Sequence, residues 1–418
     1  MGIRVREGCA GQRASPSVDS MSQQVDTQVS GAVQGQRIGV VDSLRGFALF
    51  GILVTNTVVA TMLWSSPGAG KDPHPMFDGT VDRFAYGLID GLFLGKFYLL
   101  FAFLFGYSFT LQIAAARRTG AAPVPRLLRR CLALFLIGLA HVLLLWLGDI
   151  LTLYAGLCLI LVLLRGIRPR TAFITGLVLY FAFAALAFIP GNGGLTGIGE
   201  IFDLQRMHDG FTGNFGDTLA AQLSFGPKFM LFTWIGQGIP ALGMFLVGLA
   251  AGKRRVFEDP EWISRWLPRA LLVGFGVGLP ISVGTVILST VHPVLPTFWF
   301  GLQELSNPFL TLGYMAGIVW LVRFRWAGPV SWLAPAGRMA ASNYIGQSVV
   351  MMLIYTGYGL ALADRVPPAL VVVIAVATYL VQLRVSMWWL RRHPYGPVEW
   401  LLRAATYLSV PAWRKASA

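Results

Sequence analysis

Charge is scarce in this chain. Only 12% of its 418 residues are Asp, Glu, Lys or Arg, against 55% that are hydrophobic, and the mean hydropathy is +0.64. Soluble domains carry roughly 25% charged residues to cover their surface, so a soluble globular protein is excluded. Cysteine is scarcer still. Cys9, Cys131 and Cys158 are too few and too scattered for a disulfide framework or a thiolate metal site, and no metal is expected. Acidic residues number 19 against 33 basic ones, but the surplus forms no basic stripe interleaved with aromatics, so nucleic acid is not expected as a partner. The ten-residue alternating segments of a membrane barrel are missing as well.

What the chain does have is long apolar runs. Several approach the roughly 20 residues that a helix needs to cross a bilayer. The pattern predicts an all-α, polytopic transmembrane helical bundle of about ten spans: 39–63, 88–115, 127–147, 149–165, 171–190, 228–252, 268–290, 300–322, 338–362 and 367–390. One set of connections is basic at every turn, as in "RRTGAAPVPRLLRR" (117–130), "KRRVFEDPEWISRWLPR" (253–269) and "RRHPYGPVEWLLR" (391–403). The alternating set is neutral or acidic, and its longest member runs from residue 190 to 217 as "PGNGGLTGIGEIFDLQRMHDGFTGNFGD". The positive-inside rule then places both termini in the cytoplasm, and residence in the plasma membrane is expected. Residues 1–36 are polar, lack the apolar core of a signal peptide and read as a disordered cytoplasmic tail. Residues 37–408 form one transmembrane domain, and 409–418 a second cytoplasmic tail.

Against this background the polar residues inside apolar runs stand out. "LFLIGLAHVLLLWLGDILTLYAGL" (134–157) carries His141 and Asp149. A charge facing lipid costs several kcal/mol, so such groups turn to the bundle interior or to a water-filled cavity. Asp149 also suits the N-cap of the following helix, and His141 suits a plain interhelical hydrogen bond. Asn56, His74 in the first outer loop, and Glu304 lie at a similar outer depth and are compatible with one shared pocket. At the inner face, Asp42 and Arg45 are three apart on one helical face, and Arg338 and Asn343 lie in "PAGRMAASNY". These arginines read either as topology-setting charge or as a site for an anionic ligand such as a nucleotide phosphate.

Six stretches, in order, resemble the DUF418 (YeiB-like) membrane proteins: "VVDSLRGFALFGILVTN", "GKFYLLFAFLFGYSF", "RRCLALFLIGLAHVLLLWLGDILTLYAGL", "LQELSNPFLTLGY", "AGRMAASNYIGQS" and "GPVEWLLRAATY". The first two also resemble the transmembrane acyltransferases typified by heparan-α-glucosaminide N-acetyltransferase. That resemblance implies cytosolic acyl-CoA, with acetyl-CoA the first choice, as co-substrate. It implies a glycan, glycolipid or small acceptor on the far side, with Asn56 and His74 at the active site. The family's own hairpin motif points to His141 and Asp149. Histidine suits a general base near neutral pH, a carboxylate orients it, and an asparagine amide stabilises an oxyanion. Arg45, Asp42, Arg338 and Asn343 would then serve the CoA phosphates. A proton-coupled transporter of a small solute or lipid-linked precursor is the alternative reading, and a homodimer is compatible with either.

The orientation has a direct test. A cysteine placed at Thr212 is expected to react with an impermeant thiol reagent on intact cells, and one placed at Arg254 is expected to stay unlabelled until the cells are opened. Labelling at position 254 in intact cells would reverse the topology.

Overall fold

The computed structural model describes residues 2, 18–66, 77, 79–118, 120, 122–189, 198–292, 295–324 and 326–415; in the first helix side chains are described only from residue 39 onward, and that of Glu200 is not described. His74, residue 1 and residues 3–17 of the expected tail lie outside the described residues, whereas residues 18–36, expected to be disordered, form the start of the first helix. Every regular element among the described residues is helical. Helix α1 is Val18–Trp64. It is followed by α2 (Thr80–Leu92), α3 (Phe97–Arg118), α4 (Pro123–Leu144), α5 (Leu151–Leu163) and α6 (Pro169–Ala184). Two short helices, α7 (Ile198–Ile201) and α8 (Leu204–Thr212), precede the long α9 (Phe215–Lys253). Then come α10 (Pro260–Val273), α11 (Leu279–Val291), α12 (Thr297–Arg323), α13 (Ala327–Ser331), α14 (Ala334–Arg338), α15 (Ala340–Tyr355), α16 (Pro368–Arg392) and α17 (Pro397–Tyr407).

Eight helical stretches among the described residues are long and apolar enough to cross a membrane, counting Gly39–Trp64 of α1, Thr80–Arg118 as α2 with α3, and Pro260–Val291 as α10 with α11. The remaining two of the ten expected spans are shorter: α5 has 13 residues and α15 has 16. Helix α5 starts just after Asp149, and α15 carries Tyr344 and Ser348, all members of the polar array described below.

Lipid tails are as apolar as leucine, so close packing of small residues must hold such a bundle together. The crossing of α3 and α9 shows how. A Cβ on Gly106 would lie 2.1 Å from the Phe245 carbonyl oxygen, and one on Gly248 would lie 2.0 Å from that of Phe103. The two backbones touch there, and the phenylalanines of α3 fill the space on either side, Phe105 stacking on Phe245 at 5.0 Å. In the long connection after α6, Asp203 caps α8 by accepting the Arg206 amide. Helix α8 then lies over the end of α1, its Phe211 ring stacked on Trp64 at 4.9 Å.

At the opposite end of the bundle, the basic end, α17 packs on α4. Arg126 lies 4.9 Å from the Tyr407 ring centre. Glu399 of α17 accepts the Ala341 and Ser342 amides and the Ser342 hydroxyl, so it caps the start of α15 from another helix. Burial pushes the Glu399 carboxyl above its ordinary value, and these donors oppose that shift.

The α3–α9 contact predicts that Gly248→Leu is destabilising by at least about 1–3 kcal/mol, the usual cost of overpacking. The melting temperature in detergent should therefore fall by several degrees. An unchanged melting temperature would show that the two backbones are not in contact.

Candidate functional site

Helices α4 and α5 form a hairpin, and residues 145–150 between them carry Asp149 back toward the last turn of α4. His141 is 2% exposed and Asp149 is fully buried. Asp149 Oδ1 lies 2.8 Å from His141 Nδ1, while Oδ2 accepts the Thr152 amide at 2.7 Å. The two readings of Asp149 are therefore both realised in one carboxylate. It satisfies an orphan amide in the first turn of α5 and holds the imidazole across the hairpin. The other face of the ring is also engaged, since His141 Nε2 lies 2.8 Å from Ser348 Oγ on α15.

Two more groups complete the array. The Tyr344 ring centre is 5.0 Å from that of His141, and its hydroxyl accepts the Ile150 amide at 3.3 Å. The half-buried Asn56 side chain lies within interaction reach of the same hydroxyl. The structure thus brings His141 and Asp149 into contact, places Asn56 within reach of Tyr344, and adds Ser348 and Tyr344. Both additions stand in the "SNYIGQS" stretch. Serine and tyrosine are common enough in membrane helices that nothing in the sequence marks them out.

Glu304 does not join this array. Its neighbourhood is built where α2 breaks before α3, at Gly95 with φ +81°, a value that favours glycine. Lys96 follows, fully buried, and its ammonium donates to the Asp90 carbonyl at 3.0 Å. Gln303 donates to the same carbonyl and Tyr314 to that of Leu92, so α12 satisfies the broken backbone. Glu304 and Asp90 lie within electrostatic reach of Lys96. Lys96 was legible in principle, because a lysine in the run "GLFLGKFYLL" is as conspicuous as His141.

At the basic end, Arg45 donates to Asp42 at 2.6 Å and to the Ser108 hydroxyl. Arg338 is exposed and within reach of the Asp42 carboxylate. Asn343 points elsewhere, its amide donating to the Ala336 carbonyl and to Ser386. It ties α14, α15 and α16 together and does not stand free in the arginine cluster. Arg130 enters instead. Its Nε is buried with no hydrogen-bond partner among the described residues, and Arg45 and Glu399 lie within electrostatic reach.

The spacing between the two clusters is regular. Arg45 and Asn56 on α1, and Arg130 and His141 on α4, are each eleven residues apart. Eleven residues make just over three turns, so each pair shares a helical face at a separation of about 16 Å.

The family model described as "Protein of unknown function (DUF418)" matches residues 251–409. Over nearly its whole length the chain is similar to uncharacterized protein YxaH of Bacillus subtilis (strain 168), 34% identical over 404 residues that cover 90% of this chain and 95% of that one. It is also similar to uncharacterized protein YeiB of Escherichia coli (strain K12), 28% identical over 417 residues that cover 91% of this chain and 100% of that one. An uncharacterized 39.9 kDa protein in the amylase 3′ region of Bacillus acidopullulyticus is 27% identical over 394 residues, covering 89% and 94%.

The divided carboxylate of Asp149 makes a prediction that separates its two roles. Asp149→Asn keeps an acceptor for the Thr152 amide, whereas Asp149→Ala loses both contacts and is expected to be less stable than the Asn variant by about 1–3 kcal/mol. Equal melting temperatures for the two variants would remove the capping role.

Proposed function

The chain belongs to the DUF418 family, and from that premise we propose that it is a plasma-membrane acyltransferase, with both termini cytoplasmic, that moves an acyl group from cytoplasmic acyl-CoA to a hydroxyl or amine of an extracytoplasmic glycan, glycolipid or small acceptor. The observation that carries this reading is the buried His141–Asp149 pair, with hydrogen bonds on both ring nitrogens. Desolvating two ionisable groups is costly, and a carboxylate on Nδ1 leaves Nε2 as the basic nitrogen. His141 is then the general base of the transfer, Asp149 holds its tautomer, and Asn56 is the amide assigned to the oxyanion.

The distance between the clusters supports the same reading. CoA presents its phosphates and its thiol at opposite ends of a pantetheine arm of about 15–20 Å, by covalent lengths like those of a peptide chain. The separation of about 16 Å between Arg45 and Asn56, or Arg130 and His141, matches that reach. Phosphates would sit on Arg45, Arg130 and Arg338, where guanidinium offers paired donors. The unpartnered Arg130 Nε is the kind of buried donor that an anion would satisfy. The thioester would then arrive beside His141.

One observation favours a second reading. The break between α2 and α3 places buried Lys96 beside Glu304 and Asp90. Discontinuous helices with buried charge occur at the binding sites of proton-coupled transporters. Release of free CoA separates the two, because a transporter leaves the thioester intact.

Purified protein is expected to release CoA from an acyl-CoA in the presence of cell-envelope extract. His141→Ala should reduce that release by about 10²–10⁴-fold, the usual worth of a general base, with CoA binding retained. Arg130→Ala should weaken CoA binding with little effect on the chemical step, and added salt should mimic it in the wild type. An Arg130→Ala variant with unchanged CoA affinity would move the phosphate site elsewhere. A His141→Ala variant with full turnover would remove the assigned base.

A further inference from the structure

We propose that Ser348 is the nucleophile of this transfer, so that the reaction runs through an acyl-enzyme in two steps; this rests on the acyltransferase reading above. The argument begins with what His141 can reach. Its Nδ1 is taken by Asp149 at 2.8 Å, so the proton on that nitrogen is held by the carboxylate, and Nε2 is left as the basic position. The hydroxyl within hydrogen-bond distance of Nε2 is that of Ser348, at 2.8 Å. An incoming acceptor cannot use Nε2 while Ser348 occupies it. The first proton that His141 takes is therefore the serine proton.

The competing role for a serine within a helix is a bond back to the carbonyl four residues earlier. Here that contact, Ser348 Oγ to the Tyr344 oxygen, is 3.5 Å, at the limit of a hydrogen bond. The shorter contact to Nε2 directs the hydroxyl toward the imidazole. Carboxylate, imidazole and serine hydroxyl are thus joined in the order that activates serine nucleophiles on unrelated folds. They come from the α4–α5 turn, α4 and α15, three segments that only the packed bundle brings together. Ser348 is 1% exposed, so bulk water is kept from its hydroxyl.

The steps balance without any redox partner. Ser348 Oγ attacks the thioester carbonyl, an O–C bond forms and the C–S bond breaks. The serine proton passes to His141 Nε2 and then to the departing CoA sulfur. In the second step an acceptor hydroxyl or amine gives its proton to Nε2 and attacks the acyl ester. The ester C–O bond breaks, and Ser348 recovers the proton from His141.

The test uses the full-length protein in detergent, without acceptor, incubated with radiolabelled acetyl-, succinyl- or palmitoyl-CoA and quenched in acid. Label should stay on the denatured wild-type chain in a peptide containing Ser348, with free CoA released in a stoichiometric burst. Ser348→Ala and His141→Ala should reduce the label to background. Ser348→Cys, which preserves size and fold, should carry it as a hydroxylamine-labile thioester. If Ser348→Ala melts like the wild type and completes transfer to envelope extract at the wild-type rate, Ser348 is only a hydrogen-bond partner. His141 then acts directly on the acceptor, and the acyltransferase reading survives. If the wild type releases no CoA from any of the three donors, with or without extract, that reading falls and this proposal falls with it.

Discussion

Inside a bilayer a polar group has no water to turn to, and each one must find its partner in the protein. The bond from Asp149 to His141 is where this constraint is tightest. One carboxylate closes the start of α5 and holds an imidazole on α4. The bond helps to close the hairpin, because breaking it leaves polar atoms of a buried ionisable side chain unmet. The imidazole then needs a second partner for its remaining nitrogen, and α15 supplies Ser348. Two helices too short to satisfy the length of a full span are kept in register by side-chain hydrogen bonds as much as by packing.

The same constraint shapes the break between α2 and α3. Carbonyls freed at Asp90 and Leu92 are met by Lys96, Gln303 and Tyr314. A lysine that would be costly in lipid thus helps to repair a helix interruption. At the break itself Gly95 lets α12 come close, since a Cβ there would meet the Asn307 side chain. Packing and polar satisfaction are in this sense one mechanism, since small residues bring backbones together and the partners then fall within reach.

At the basic end the protein does the opposite. Arg130 Nε is buried and has no hydrogen-bond partner among the described residues, although Glu399 lies nearby and is already committed to the start of α15. A buried guanidinium N–H left without a partner costs free energy unless a ligand or water answers it. The eleven-residue interval from Arg130 to His141 repeats the one from Arg45 to Asn56. Two helices therefore project a basic group and a second polar group from one face, three turns apart.

Bilayer residence and the helical class were legible in the sequence, because both follow from run length and charge scarcity, which are local properties. His141, Asp149 and Asn56 were legible for the same reason, as polar residues are conspicuous where the neighbours are leucines. Lys96 was equally visible. That Asp149 both caps and orients, that Ser348 and Tyr344 complete the array, that Glu304 belongs with Lys96, and that Asn343 is spent on Ala336 and Ser386 were decided by the tertiary structure. A hydrogen bond between helices depends on rotation, tilt and depth to within an ångström. The apolar pattern specifies that a helix spans, and leaves which face meets which neighbour to the packing of the whole bundle.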